Sequence, residues 1–151
     1  MIREATALDV LPALELSEHY AAEAEEYAGL TYDPEVAVQN FMYAVDSDLH
    51  LFILSITGDG KVAGMLWATC SPFQMWSSDW IATDQIVYVK PDYRGTSHGM
   101  ALIKHYERWA KELGASEVRL SIASGIHEDK TGELYKKIGY SHLGTIYRRK
   151  L

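Results

Sequence analysis

The stretch Pro91 to Ile103, PDYRGTSHGMALI, concentrates residues that can handle an anion. Arg94 is a permanent cation. Gly95, Thr96, Ser97 and Gly99 are small, and an apolar pattern of helical period starts just after them. The free N–H groups and the positive end of a helix N-terminus attract anions, and successive amides in a turn do the same. Such a loop can wrap a diphosphate, or it can be an ordinary strand-to-helix turn. It is not a P-loop, because no Lys-Ser/Thr pair follows Gly99, and its glycine spacing is not that of the dinucleotide fingerprint. Ser97 stands where many phosphate loops carry glycine. At a helix N-cap its hydroxyl would satisfy a free N–H or reach a phosphate. At positive φ it would instead cost about 1 kcal/mol relative to glycine. The N-cap placement is expected. His98 either touches a phosphate or points to solvent.

Charge narrows the ligands. The 151 residues carry 21 acidic and 14 basic side chains, a formal charge of −7. That balance disfavours non-specific nucleic-acid binding and suits a cationic partner such as an amine, or it simply keeps the protein soluble. The six histidines show no metal-ligand spacing, so no metal is expected. Cys70, the single cysteine, has no evident catalytic partner and no disulfide mate, which fits a reducing, cytoplasmic setting. No apolar run is long enough to span a membrane, and the N-terminus lacks the pattern of a signal peptide.

The elements that must position these residues follow from periodicity. The length suggests one domain over 1–151. Ile2 to Ala5 reads as a strand. Thr6 and Asp9 resemble a capping box, and Pro12 falls in the first turn of the helix that follows. Pro34 to Val45 reads as a second helix, with Val38, Phe41, Met42 and Val45 on one side. Leu49 to Ile56 and Lys61 to Thr69 are strands around the hairpin signal TGDG. Ile81 to Lys90 is a third long strand, ended by Pro91. Leu102, Ile103, Tyr106, Trp109, Ala110 and Leu113 form the apolar face of a helix stopped by Gly114. Glu117 to Ala123 reads as a strand, Asp129 to Ile138 as a short helix stopped by Gly139, and Gly144 to Arg149 as a last strand. The order implies an α/β (α+β) fold with a mixed, mostly antiparallel central sheet, about four flanking helices and at least one parallel pair.

On these residues the chain resembles a known family. Val89, Pro91, Tyr93, Arg94, Gly95 and Gly99, followed by an apolar helix, are similar to motif A of the GCN5-related N-acetyltransferases (GNAT). LYKKIGY, Leu134 to Tyr140, is similar to their motif B. The element order agrees over the whole chain, and the serine at position 97 is similar to members encoded by bacteriophages.

The resemblance implies an acyltransferase that moves an acetyl group from acetyl-CoA to a small-molecule or protein amine by direct attack. It also leaves open a catalytically silent CoA-binding or interaction module of the same fold. By resemblance, the backbone of Arg94, Gly95, Thr96, Ser97, His98, Gly99 and Met100 holds the cofactor's pyrophosphate, and that of Val87 and Val89 pairs with its pantetheine arm. Tyr135 occupies the family position of the general acid for the leaving CoA thiolate. Asp84, with Asp79 second, is the candidate base, although the usual family glutamate falls nearer Gln85. Glu128 stands where the family often has an asparagine that contacts the cofactor. Glu26, Tyr27, Tyr32 and Trp80, with Glu25 and Trp76 beside them, are the candidate acceptor residues, holding an amine by charge and cation–π contact. Those aromatics serve a packed core or a homodimer interface equally well.

Overall fold

A computed structural model describes residues 1–122 and 124–151. In chain order the elements are β1 (Ile2–Glu4), α1 (Val10–Glu23), α2 (Pro34–Val45), β2 (His50–Ile56), β3 (Val62–Pro72), β4 (Trp80–Val89), α3 (His98–Glu112), β5 (Glu117–Arg119) and α4 (Glu128–Lys137). Single 3-10 turns at Ala7–Asp9, Glu25–Tyr27 and Pro91–Tyr93 join them. The expected mixed sheet with four helices is present. Its strands lie in the order β1-β2-β3-β4-β5, antiparallel except for the β4–β5 pair.

Local chemistry explains most boundaries. The Thr6 backbone N–H donates to the Asp9 carboxylate at 2.8 Å, while Arg3 clasps the same carboxylate through two bonds of 2.6 and 2.9 Å. Asp33 caps α2 by accepting from the N–H groups of Glu35 and Val36, with Pro34 in the first helical position. Gly114 and Gly139 close α3 and α4 at positive φ.

Two apolar layers sandwich the sheet. Leu16, Tyr20 and Phe41 from α1 and α2 pack on Phe52, Leu54, Met65 and Tyr88. Leu102, Tyr106 and Ala110 from α3 pack on the other face, against Ile53, Leu66 and Ala82. The expected apolar side of α2 is rotated: Phe41 and Ala44 are buried and Met42 is exposed. Among the described residues no helix is long and apolar enough to cross a membrane.

Two expected strands change. The one read over 117–123 ends at Arg119, and Ala123 lies outside the described residues. Its partner β4 departs from it: the pairs are Ile81–Glu117, Ala82–Val118 and Thr83–Arg119, after which the Ser121 N–H bonds the Asp84 carboxylate instead of a backbone carbonyl. The strand expected over Gly144–Arg149 does not form. Residues 141–151 are exposed and join no ladder. A strand needs a partner edge, and here Arg148 donates to the backbone carbonyls of Glu25 and Glu26 at 3.2 and 2.9 Å. Those bonds hold the segment over the α1–α2 connection rather than beside β5.

Candidate active site

The site begins with a defect in pairing. On β3 and β4, Trp67 faces Ile86 but Ala68 faces Asp84, so Gln85 is one residue too many on β4. A bulge of this kind bends its strand and sharpens the twist. It falls where β4 and β5 part, so beyond Thr83 the outer edge of β4 is open. Lys90 donates its N–H to Ala63 on the β3 side. Backbone groups alternate along a strand, so Tyr88 also faces β3, while Val87 and Val89 present theirs to the open edge. One of those groups is already used, because the Val89 carbonyl accepts from Arg94 Nε at 2.9 Å.

The loop after β4 is built for close approach by its backbone. Gly95 has φ +76, so the glycine that the turn needs is Gly95, not position 97. Ser97 is the N-cap of α3, as expected, with φ −74 and no backbone strain. Its hydroxyl makes no capping bond. Thr96 does part of that work, donating to Tyr93 O at 2.5 Å and accepting weakly from His98 N at 3.5 Å. Ala101 N bonds Ser97 O at 2.9 Å. The Gly99 and Met100 amides, ahead of that first helical bond, point out of the helix end as anion donors.

Two side chains of the loop are turned inward. Arg94 forms a bidentate pair with Glu23 of α1, at 2.5 and 2.6 Å, and lies 5.5 Å over the Tyr88 ring. The pair holds the Glu23 carboxyl below its ordinary range, chiefly through the hydrogen bonds from Arg94. Arg94 is therefore a latch between loop, helix and strand, which leaves the backbone amides as the candidate anion donors. His98 Nδ1 is 2.6 Å from the hydroxyl of Ser55, a buried residue of β2. That bond turns Nδ1 of the ring toward the sheet.

Asp84 stands at the fork where β4 and β5 part. Its carboxylate accepts from Ser121 N at 2.9 Å and from Ser121 Oγ at 3.2 Å. Burial pushes its pKa up to about 6, against the hydrogen bonds from Ser121, and the charge of Glu26 adds to the rise. Tyr135 of α4 is buried, and burial first and the Asp84 charge second lift its phenol well above the ordinary range. Tyr140 follows it and donates to Glu107 of α3 at 2.9 Å, tying the end of α4 to α3. Asp84 and Tyr135, far apart in sequence, thus share one electrostatic environment.

The acceptor candidates divide. Tyr27 and Tyr32 line an open cavity of about 200 Å³ between α1, α2 and the sheet, whose floor includes Trp67 and Ile86 at the bulge. The Tyr32 hydroxyl lies 2.6 Å from Ser17 Oγ. Glu26 lies beside that cavity rather than in it: it accepts from the Tyr20 hydroxyl, and burial raises its pKa. Trp80 sits at the start of β4 and Trp76 is exposed, both outside the lining. Asp79, the second base candidate, accepts from the Ser77 and Ser116 hydroxyls at the far end of β4. Cys70 is buried, and burial raises its thiol pKa, which makes it inert. Among the described residues no cluster of three His, Cys, Asp or Glu is placed to hold a metal.

Sequence reasoning missed Ser55, Glu23 and Ser121. Ser55 alone carried a signal, as the one polar residue in the apolar run LFILSI. Glu23 was hidden in the acidic run EAEEY, where nothing local separates it from its neighbours.

No curated protein sequence matches the chain. Solved structures of the same fold do. A transcriptional regulator from Bacillus halodurans matches with a TM-score of 0.78 at 23% identity, over 99% of both chains. An aminoglycoside 6'-N-acetyltransferase from Acinetobacter haemolyticus gives 0.76 at 18%, over 100% of this chain and 98% of its own. The aminoglycoside acetyltransferase AAC(6')-Iy, bound to a CoA bisubstrate analogue, gives 0.79 at 14%, over 100% and 97%. At these identities the likeness is one of fold. The profile of the acetyltransferase (GNAT) family matches residues 13–140. That span runs from α1 through the bulged strand and the amide loop to the end of motif B, and the chain belongs to the GNAT family of acetyl-CoA-dependent N-acetyltransferases.

Proposed function

We propose that the chain acetylates a primary amine by direct attack, with Asp84 taking the amine's proton and Tyr135 supplying one to the departing sulfur. The observation that carries this reading is a buried carboxyl, Asp84, held by Ser121 where β4 and β5 part, in a fold that also buries the Tyr135 phenol of α4. Acetyl-CoA, when bound, supplies the acetyl group as a thioester. The residues present fit it: the edge of β4 at Val87 and Val89 is free of β5, and the amides of Gly95 to Met100 ring a helix N-terminus.

A base works best with a pKa near the operating pH, and Asp84 is ionised above about 6 yet close enough to 7 to accept a proton. Once Asp84 is protonated, its charge no longer lifts Tyr135. The phenol then becomes a stronger acid at the step that needs one. The attack forms the amide C–N bond and breaks C–S; the amine proton goes toward Asp84 and the sulfur takes the Tyr135 proton. The acceptor is a small-molecule or protein amine, approached from the side of Tyr27 and Tyr32. Glu26 adds negative charge beside that cavity, and a homodimer in the cytoplasm is the expected setting.

Measuring CoA release with a panel of amines tests the reading. Turnover that Asp84→Asn and Tyr135→Phe both suppress supports it. Calorimetric binding of acetyl-CoA with no turnover on any amine would replace it with a silent CoA-binding module.

A further inference from the structure

The cavity beneath the α1–α2 connection has a composition that selects among amines. Its floor is the sheet face carrying Phe52, Met65, Trp67 and Ile86, and Leu14 and Phe41 form its sides. Trp67 and Ile86 are a cross-strand pair immediately before the bulge and are only half-buried. Both pack in part on the core and leave the rest of their apolar surface to the cavity floor. That pair adjoins Gln85 on the α1–α2 face of the sheet, whereas Asp84 pairs with Ala68 of the α3-facing layer, so a ligand resting on it reaches Asp84 only across the bulge.

Six polar residues line the cavity, Ser17, Tyr27, Thr31, Tyr32, Asp33 and Asn40, and only one of them is charged. Ser17 and Tyr32 bond each other at 2.6 Å, and Ser17 also donates to Leu14 O at 2.8 Å. Asp33, the one carboxylate in the lining, already accepts two N–H groups as the cap of α2. A polyamine would bring a second ammonium, and an aminoglycoside several cations, against the single carboxylate of Asp33. The volume of about 200 Å³ also lies below the roughly 300–1,000 Å³ of clefts that hold drug-sized ligands.

We infer that the acceptor is a primary arylalkylamine, its ring lying on Trp67 and Ile86 and its amine directed over the bulge toward the β4–β5 fork. This rests on the acetyl-transfer reading above and names the substrate class of that site. Tyr27 and Tyr32 also line the cavity, and aromatic side chains suit a flat ring in offset or edge-to-face geometry.

The test compares phenethylamine, spermidine and kanamycin as acceptors, with calorimetric binding of phenethylamine measured separately. The expected result is a kcat/KM at least about tenfold higher for phenethylamine. Ala37→Phe should fill the cavity, and Val36→Trp should cover its mouth from an exposed position that does not threaten folding. Each should raise the KM for phenethylamine about tenfold or more and leave the KM for acetyl-CoA unchanged. Preference for spermidine or kanamycin, or indifference to both variants, overturns the inference while leaving acetyl transfer standing. Phenethylamine binding that Val36→Trp abolishes, without turnover of any amine, keeps the site and removes the transfer reading. Neither binding nor turnover of phenethylamine removes the inference.

Discussion

The Ser55 hydroxyl and His98 Nδ1 lie 2.6 Å apart, joining the middle of the sheet to the first residue of α3. Ser55 pairs with Gly64, and Gly64 pairs with Val89, so the contact spans one strand that has no side chain in the way. The pair pins the helix end whose amides are the proposed cofactor donors. Ser55→Ala leaves a ring nitrogen short of a partner, and a loss of about 1–3 kcal/mol in urea unfolding is expected. A several-fold rise in the KM for acetyl-CoA with kcat nearly unchanged should accompany it. Equal losses in both parameters would mean that the pair does more than hold the loop.

Asp84 makes a prediction with two readouts. As the base, it gives kcat/KM an acidic limb near pH 6, and Asp84→Asn lowers activity about 100-fold or more and abolishes that limb. As a carboxyl with a raised folded pKa, it binds its proton more tightly in the folded state. Its contribution to stability is full below about pH 4, the unfolded value, and is lost as pH rises through about 6. Unfolding experiments from pH 4 to 7 should show that decline in the wild type and not in Asp84→Asn.

Tyr135→Phe removes a hydroxyl and little volume. The expected outcome is a drop in kcat of about 100-fold with acetyl-CoA affinity, read by calorimetry, within twofold of wild type. An unchanged kcat would leave Tyr135 as a packing residue beside Tyr140.

Glu23 and Arg94 give the opposite pH sign. Glu23 is held below its ordinary pKa by Arg94, and Asp9 is likewise held down by Arg3. Stability from such groups is present above the unfolded carboxyl pKa of about 4 and is lost as pH falls through the lower folded values. Glu23→Gln should cost about 1 kcal/mol at pH 7, since both side chains are partly exposed, and lose less on going to pH 3 than wild type does. An equal loss at both pH values would argue that the pair contributes nothing.

Gly64 tests the close approach of β3 and β4. A Cβ there would lie 2.5 Å from Tyr88 O and 3.1 Å from Val89 Cα, both backbone atoms that cannot turn aside. Gly64→Ala should cost about 2 kcal/mol and lower Tm by about 4–8 °C. It should also weaken acetyl-CoA binding, because the shift reaches Val89. A Tm within 1 °C of wild type would show that the strands separate without cost.

The sequence by itself determined the helices, the long strands and the cofactor loop, because each depends on local signals. Period, caps and glycines are short-range terms, so Pro34–Val45 and the Ser97 N-cap were legible within a few residues. Motifs A and B likewise lie within single stretches of chain, and they carried the family. Three things were decided only in three dimensions. The bulge at Gln85 is a mismatch between two strands, and neither strand carries its sign alone. Arg94 is a cation in any reading of the sequence, but its use as a latch depends on Glu23, 71 residues away. The final segment has strand-like composition, yet ladder formation requires a free partner edge in reach, and its bonds from Arg148 lead elsewhere. Pairing, charge neutralisation and shared desolvation are properties of two sites at once, and they arise only when the fold brings those sites together.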